Sequence, residues 1–393
     1  MRWNAGVLLG LTAASVIIGC EVVAGLDRDV TLTAAATTGS GGGSVSASAA
    51  TTTTSGVLTS SSLAGAGSSA GGGDACGVTF PSLPSMAAEG GSLAFTTALR
   101  SINLGDKGVV GLDLDLTCSC HGKGASCIEP IQHCDDDAGR DDSAKAIFNT
   151  LALAFGPSSF GSANLSAQAE DGIWTILFRV KGYNGTANDA QVEFDWYLST
   201  GFDKTTASKP AWQGGDAWKV TASNVNGANI DDPLYRDTHA YVSDNMLVAS
   251  IPEIPILLPT GGLGHISFTL SGAGVLARIS YDPELKTYRL IDGQVVGRIK
   301  LTDVFKTISS FRDNKGKPLC TNSPFYGLTK NNFCASADIL AAPGTPSLPC
   351  DAISFAIGFT ADPAVFGVVD ATAPPTTAGC PKETDPATDK CPP

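Results

Sequence analysis

From residue 76 to about residue 370, apolar and polar positions alternate in short runs separated by Gly, Asn, Asp and Pro. Alternation with a period of two places one side of a strand in the core and the other in solvent, so each run predicts a strand. The predicted strands cover residues 92–102, 109–116, 174–180, 191–198, 218–221, 241–250, 265–270, 275–281, 287–291 and 294–301. Many short strands predict an all-β fold, and we expect an antiparallel β-sandwich of the jelly-roll or concanavalin-like kind.

A two-residue turn is predicted between the last two strands, at Asp292-Gly293. Both central positions of a tight hairpin turn need a positive φ angle, which Asp and Gly adopt more readily than most residues. The sequence therefore predicts a β-hairpin centred on this pair.

Two helices interrupt the strand pattern. In residues 142–155, Ile147 and Leu151 stand at helical spacing, and residues 302–311 have Thr302 as a candidate N-cap. We expect both helices to cover an open edge or an end of a sheet. The chain is then turn-rich, and residues 371–393 read as a Pro/Thr-rich tail with a small disulfide loop.

Before the predicted domain, residues 20–75 read as a linker. Thr, Ser, Ala and Gly dominate residues 31–73, and aromatic or charged side chains are almost absent. Such a segment buries too little apolar surface to offset the entropy of ordering it. It is either a tether that carries the domain away from an attachment point or filler without a selected length.

Residues 1–19 resemble the signal peptide of a bacterial lipoprotein. An apolar run follows Arg2 and ends in the lipobox-like Val16-Ile17-Ile18-Gly19-Cys20. The resemblance implies that Cys20 is lipidated and becomes the first residue of the mature chain. In an ordinary secretory signal or a short transmembrane helix, Cys20 would be incidental, and the apolar run is too short to span a membrane comfortably. Glu21 follows in place of the aspartate that retains such proteins at the inner membrane. The resemblance therefore implies a lipid-anchored protein of the cell envelope, at the outer membrane.

The cysteine count agrees with export from the cytoplasm. Of eleven cysteines, ten remain beyond Cys20, and an even number in an oxidising compartment predicts disulfides. The candidates are Cys76, Cys118, Cys120, Cys127, Cys134, Cys320, Cys334, Cys350, Cys380 and Cys391. Short loops favour Cys380 with Cys391 and pairs within the 118–134 group, although Cys118 and Cys120 would point to opposite faces of a strand.

The formal net charge of −13 and the pI near 4.7 exclude some partners. An acidic surface is repelled by nucleic acid and by anionic membrane surfaces, so we expect neither as a partner. The membrane is expected as a partner only through the lipid anchor.

Two groups of aspartates flank the first cysteine group and form a candidate Ca²⁺ site. Their predicted ligands are Asp113, Asp115, Asp135, Asp137 and Asp141. Carboxylate oxygens are the ligands that Ca²⁺ requires, and a nearby disulfide could bring the two groups together. No EF-hand pattern is present. The alternative is that these aspartates cap a helix and carry solvated loop charge.

A thiolate and imidazole site is a second candidate, because His121 and His133 lie among the cysteines of residues 118–134. The residue types would suffice for tetrahedral zinc. The spacing matches no zinc finger or ribbon, and export favours disulfides over thiolates, so we expect disulfides here.

A third candidate is the carboxylate pair Glu193 and Asp195, which strand periodicity places on one face with Tyr197. Paired carboxylates perform glycoside hydrolysis. The sequence Glu-Phe-Asp loosely resembles the catalytic strand of laminarinase-like hydrolases, which carries a further glutamate where Tyr197 and Leu198 stand here. That departure removes the acid/base residue, so we expect a solvated outer strand face.

Aromatic and loop residues offer a candidate ligand site. Trp212, Tyr183 and the neighbouring Asn184 are the candidates at a sandwich rim, where sugars often stack on aromatic rings. Trp196 and Trp218 are expected in the core.

Residues 76–370 are similar to large, cysteine-rich envelope lipoproteins of unknown function from Gram-negative bacteria. The resemblance rests on the lipobox, on residues 111–115 leading into Cys118-Ser119-Cys120, on residues 182–185, and on Asp292-Gly293 before Thr302. It implies no activity. We expect a non-enzymatic, acyl-anchored binding or adhesion protein for a glycan or an envelope protein, assisted by Ca²⁺. A polysaccharide hydrolase and a purely structural or assembly protein are the alternatives.

Overall fold

The computed structural model describes residues 77–85, 87–121, 124–136, 138–155, 160–205, 207–259, 265–312, 317–342, 344–371 and 379–392. The predicted signal peptide, Cys20, the linker, Cys76 and Asp137 lie outside these ranges. The strands are β1 (Leu93–Asn103), β2 (Thr175–Tyr183), β3 (Asp189–Phe202), β4 (Ala217–Thr221), β5 (Tyr235–Ser243), β6 (Met246–Pro259), β7 (His265–Asp282), β8 (Thr287–Lys300), β9 (Ala352–Pro363) and β10 (Val365–Asp370). The α-helices are α1 (Ala144–Phe155), α2 (Ser162–Glu170), α3 (Leu301–Thr307) and α4 (Tyr326–Ala335).

The predicted β-rich fold is confirmed, and the ten described strands form one sheet. Their order is β10-β4-β3-β2-β1-β9-β8-β7-β6-β5, and β3 pairs with β5 as well as with β2. The pairing of β3 with β5 closes eight antiparallel strands into a ring. β4 and β10, which pair in parallel, extend from the C-terminal part of β3. The sheet is therefore mixed, and most of its strand edges are paired.

The main core lies inside the closed strands. On β9, Ile353, Phe355, Ile357 and Phe359 belong to this core, while Ala356 between them packs in a separate cluster on the outer face. A further outer cluster, which includes Trp218, covers β1, β2 and β3. Several strands are thus buried on both faces, because polypeptide segments cover parts of the outside.

The Asp292-Gly293 hairpin prediction is wrong. β8 runs through this pair without a turn, and its register against β9 shifts between Leu290 and Gly293. Asp292 does adopt the positive φ of 50° that the sequence indicated. The positive φ of Asp292 therefore belongs to a β-bulge in a continuous strand and not to a turn.

Three other strand predictions need correction. The predicted strands 265–270 and 275–281 are one strand, β7, whereas 241–250 contains the β5–β6 turn at Asp244-Asn245, where both φ angles are positive. Residues 109–116 form no strand, and only an isolated bridge joins Leu112 to Asp141. Two described strands were not predicted at all, namely β9 and β10.

The helices lie at the end of the closed sheet where β1 and β8 finish and β9 begins. The ring of Phe148 in α1 packs edge-on against Phe355 at 5.8 Å. α2 is held to the end of β1, where the Leu104 amide donates to Ser162 Oγ at 2.8 Å. Two helices were predicted and four are described. The predicted cap is also wrong, because α3 has Lys300 at its N-cap and no capping side-chain bond.

Disulfides join distant parts of the chain. The described pairs are Cys120–Cys134, Cys127–Cys350, Cys320–Cys380 and Cys334–Cys391, and Cys118 is disulfide-bonded as well. The predicted local bridge within the 118–134 group is confirmed. The predicted Cys380–Cys391 loop is wrong, because both cysteines bond to the region around α4. The C-terminal segment is therefore attached to the folded domain and is not a separate small loop.

Candidate functional site

Three of the predicted calcium ligands come together on the outside of the sheet. One carboxylate oxygen from each of Asp113, Asp115 and Asp141 lies within 4.8 Å of the others, and we call these three residues the acidic cluster. Although residues 109–116 form no strand, the turn after Asp115 brings it beside Asp113, because the carboxylates of both accept the Thr117 amide. Asp141 Oδ2 accepts the Leu114 amide at 2.6 Å.

Burial shifts the acid–base equilibria of the acidic cluster. Desolvation and the neighbouring Asp115 charge raise the pKa of Asp113 from 3.8 to about 6. The same two causes, with Asp338 added, raise the pKa of Asp141 to about 10. Asp141 is therefore protonated at neutral pH when no cation is bound, and its side chain hydrogen-bonds to Asp135.

The surroundings of the acidic cluster bear on its fit for a metal. Asp135 is next to it and accepts the Ser119 amide at 2.8 Å, so four of the five predicted ligands are neighbours. The Arg298 guanidinium also approaches and donates to the Leu114 carbonyl at 2.5 Å. Hard oxygen ligands suit Ca²⁺, which takes six to eight of them. The acidic cluster could hold a cation together with solvent oxygens, and the Arg298 charge opposes it.

The alternative zinc site is not assembled. Cys118, Cys120, Cys127 and Cys134 are all disulfide-bonded, so none offers a thiolate. His133 instead hydrogen-bonds through Nε2 to the Ala335 carbonyl at 2.6 Å. This arrangement agrees with the expectation of disulfides.

The carboxylate pair Glu193 and Asp195 is held in an ion-pair network. Asp195 is 0% exposed and accepts Arg179 Nε at 2.8 Å, while Lys181 bridges both carboxylates. Burial raises the pKa of Asp195 above its usual range against the opposing bonds from Arg179. Burial also raises the pKa of Glu193, but the ion pair with Lys181 lowers this pKa by more. The pKa of Glu193 therefore lies below its usual range. The expected solvated strand face is thus a buried salt-bridge network.

Arg179 is enclosed by aromatic rings. Its guanidinium carbon lies 5.6 Å from the centre of the Tyr197 ring and 5.3 Å from that of Phe366 on β10. The Tyr197 hydroxyl donates to the Ile230 carbonyl at 2.7 Å. These contacts place Tyr197 and Phe366 against the Arg179 guanidinium, with Phe366 on the outer side of the network.

The aromatic candidates do not form one surface. Tyr183 is 2% exposed and packs against Phe95 and Tyr288 at the end of the sheet opposite the helices, so its ring faces are not accessible. The Asn184 side chain holds its own loop, accepting from Thr186 and donating to Asn188. Trp212 lies elsewhere on the outer face, under the guanidinium of Arg100 on β1.

A cleft that the sequence did not indicate lies beside Trp212. Its volume is about 460 Å³, and we call it the β1 cleft. It is lined by Ala94, Thr96, Gln213, Gly214, Leu285, Thr287, Pro363, Ala364, Val365 and Phe366. No lining residue is ionisable. Its residues come from four separate parts of the chain, and only the Gly214-Gly215 pair and Pro363 were local signs of an unusual backbone.

The wall that carries Gln213 is firmly held. The Asp216 carboxylate accepts the amides of Ala211 and Trp212 at 2.8 and 2.5 Å, and the Trp212 ring packs between Arg100 and Trp218. Trp212 has a φ of 58°, which is unusual for a bulky residue. Strained backbone of this kind persists only where its surroundings fix it, and such positions cluster at functional sites.

Neither a protein-family model, nor a curated protein sequence, nor a solved structure matches this chain. Within the described ranges, none of the helices combines the length and apolar content that a membrane crossing demands.

Proposed function

We propose that this protein is a lipid-anchored binding protein of the bacterial cell envelope, without catalytic activity. Lipidated Cys20 would hold it at the outer membrane, and residues 20–75 would carry the folded domain away from the surface. The observation that supports binding is the β1 cleft, a preformed, uncharged depression of about 460 Å³ with a fixed wall. Its volume falls in the range of ligand sites, and its ligand is a glycan or a protein segment.

The hydrolase alternative has less support. A glycosidase needs one carboxylic acid and one carboxylate facing the scissile bond. Glu193 and Asp195 face Lys181 and Arg179 instead, and Asp195 is wholly buried. Turnover of a labelled polysaccharide that is abolished by Glu193→Gln would favour the hydrolase over our proposal.

We also propose that Ca²⁺ binds the acidic cluster and stabilises the domain. A cation would replace the proton that Asp141 otherwise keeps at neutral pH. Thermal melts with millimolar Ca²⁺ and with excess chelator test this, because a ligand that binds only the folded state raises its stability. A Ca²⁺-dependent shift that Asp113→Asn removes supports the site, and equal melting temperatures contradict it.

A jelly-roll or concanavalin-like arrangement, in which the closed sheet is flattened so that two halves pack face to face, stays part of this proposal. It would place the β1 cleft on one outer face of the sandwich. A solved structure of the protein would decide it through the angle between facing strands.

Two experiments test the anchor and the binding. Labelled palmitate should enter the wild-type chain in a bacterial host and not the Cys20→Ser variant, and equal labelling would contradict the anchor. The purified chain should bind members of a glycan array or a peptide array. Ala94→Trp, which fills the β1 cleft from an exposed position, should abolish this binding, whereas the exposed control Ile131→Trp should not. Binding unaffected by Ala94→Trp would contradict a site in the cleft.

A further inference from the structure

The β1 cleft lies where one strand leaves the closed ring early. The pairing of β1 with β9 begins at Thr97, opposite Pro363, and the pairing of β8 with β9 begins at Leu290. After Pro363 the chain turns away so that β10 can pair with β4. β1 therefore keeps a short stretch, before Thr97, with no described strand on the side that faces the cleft.

The direction of the backbone groups on this stretch follows from one hydrogen bond. The Ala364 amide donates to the Thr96 carbonyl at 3.0 Å, so the peptide groups of Thr96 point towards β9 and the cleft. In an antiparallel strand, alternate residues direct their N–H and C=O groups to the same side. The N–H and C=O of Ala94 thus point into the cleft, while those of Phe95 point to β2, where Phe95 is opposite Val180.

The side chains around this edge leave it accessible. Ala94 is exposed and small, and Gly214 and Thr287 line the opposite sides. On the inner side of the sheet, the rings of Phe95 and Tyr288 pack together with their centres 5.2 Å apart, and Phe95 belongs to the main core while Tyr288 packs against it. A ligand would therefore lie on the outside, next to the Ala94 peptide groups, for which the described part of the chain shows no hydrogen-bond partner.

We propose that the β1 cleft binds an extended peptide of small, uncharged residues, which adds as a strand beside β1. This inference rests on the proposed function and names the ligand class of the same site. Strand addition to an open edge takes its affinity from main-chain hydrogen bonds and its specificity from alternate side chains. The lining of the cleft favours uncharged peptides, because it offers no ionisable group that could pair with a charged side chain.

The test uses the full mature chain and arrayed peptides of about six residues, the usual strand length, built from Ala, Ser, Thr, Val and Gly. Each peptide that binds is resynthesised in two forms. One form carries N-methyl groups on the amides of its odd-numbered residues, and the other carries them on the amides of its even-numbered residues, so that only one of the two sets faces β1. Methylation of the set that faces β1 should weaken binding by about fivefold for each hydrogen bond that is lost. Methylation of the other set should leave binding unchanged. Equal effects of both sets, or no peptide binder, overturn the inference.

Backbone variants of the protein give a second test. Ala94→Pro removes the cleft-facing N–H and should weaken peptide binding by about fivefold or more, whereas Ala94→Ser keeps this N–H and should bind normally. Unchanged melting temperatures show that both fold, as expected for Pro at an open strand edge. If Ala94→Pro binds as well as Ala94→Ser, the inference is wrong. If the protein binds glycans but no peptide, and Ala94→Trp abolishes the glycan binding, the proposed function stands and the peptide inference is wrong. If it binds neither glycans nor peptides, the proposed function and the peptide inference are both wrong.

Discussion

At the scale of single residues, buried carboxyls dominate the chemistry of this protein. Burial raises the pKa values of four aspartates above their ordinary 3.8: those of Asp113 and Asp338 to about 6, that of Asp142 to about 8 and that of Asp141 to about 10. Above pH 4, these four carboxyls therefore bind more protons in the folded state than in the unfolded state. The free energy of unfolding falls with rising pH wherever the folded state binds more protons than the unfolded state.

We expect the free energy of unfolding in chelator to fall from pH 4.5 to pH 8, because these carboxyls must ionise in the folded state. The free energy of unfolding should fall most steeply below pH 6, where all four carboxyls lose protons in the folded state. Above pH 6, only Asp141 and Asp142 should still contribute to the fall. Denaturant titrations at several pH values measure the slope. Asp141→Asn mimics the protonated acid and should flatten the slope and raise stability at pH 8.

Asp136→Asn is the matched control for Asp141→Asn. Burial opposes ionisation of Asp136, but the bonds from Arg140 outweigh it and lower the pKa of Asp136. Its replacement should lower stability at pH 8 instead of raising it. A free energy of unfolding that rises from pH 4.5 to pH 8 in the wild-type protein would contradict the burial of these carboxyls.

A second prediction at this scale concerns the buried ion pair of Arg179 and Asp195. Asp195→Ala should lower the free energy of unfolding by about 3–5 kcal/mol, because it leaves a buried guanidinium without its main partner. Glu253→Ala, which breaks the exposed pair with Lys300, should change it by less than about 1 kcal/mol. Equal effects in urea titrations would show that Asp195 is not buried as described.

The residue-level candidates were partly predictable. Asp113, Asp115 and Asp141 could be grouped because the two aspartate groups flank cysteines whose disulfide could bring them together. The partners of Glu193 and Asp195 could not be predicted, since Arg179 is on another strand and Phe366 far along the chain. Burial of a strand face by a distant segment leaves no local signal.

At the scale of elements, the β8 bulge shows how pairing overrides a local turn signal. Asp292-Gly293 favours positive φ, yet β7 and β9 pair with β8 on both sides and keep the strand continuous. β9 was not predicted because its sequence carries no local strand signal. It is buried on both faces, so its run of apolar and small residues lacks the alternation that reveals a half-buried strand.

The bulge provides a third prediction. A Cβ at Gly293 would lie 2.5–2.6 Å from atoms of the Phe359 ring, so Gly293→Ala should destabilise the protein by about 1–3 kcal/mol through overpacking. Gly327→Ala in α4 is the control. A Cβ there meets nothing within 4 Å, and alanine should stabilise the helix by about 0.4–1 kcal/mol. Melting temperatures compare the two, and a neutral Gly293→Ala would contradict the packing of Phe359 against this site.

At the scale of the whole molecule, closure of the sheet and long-range disulfides define the domain. The β-rich class was predictable from the alternating pattern. The closing pair β3–β5 and the Cys127–Cys350 bond, 223 residues apart in sequence, were not, because each depends on the path of the entire chain. A chain with ten candidate cysteines allows too many pairings for spacing alone to choose among them.

A fourth prediction concerns that bond. Replacing Cys127 and Cys350 by Ala should lower the free energy of unfolding by about 2–5 kcal/mol, because the bond restricts the unfolded chain over a long loop. Cys120 and Cys134 close a loop of 14 residues, so their replacement should have a smaller effect in denaturant titrations. The reverse order would contradict the loop-length argument.

The central claim is that the closed sheet leaves an open edge on β1 within the cleft, and residue-resolved amide hydrogen exchange tests it without any ligand. We predict rapid exchange at Ala94, whose N–H points into the cleft, and slow exchange at Phe95, whose N–H points to β2. Protection of Ala94 equal to that of Phe95 would mean that another segment already pairs with the edge, and would contradict the account.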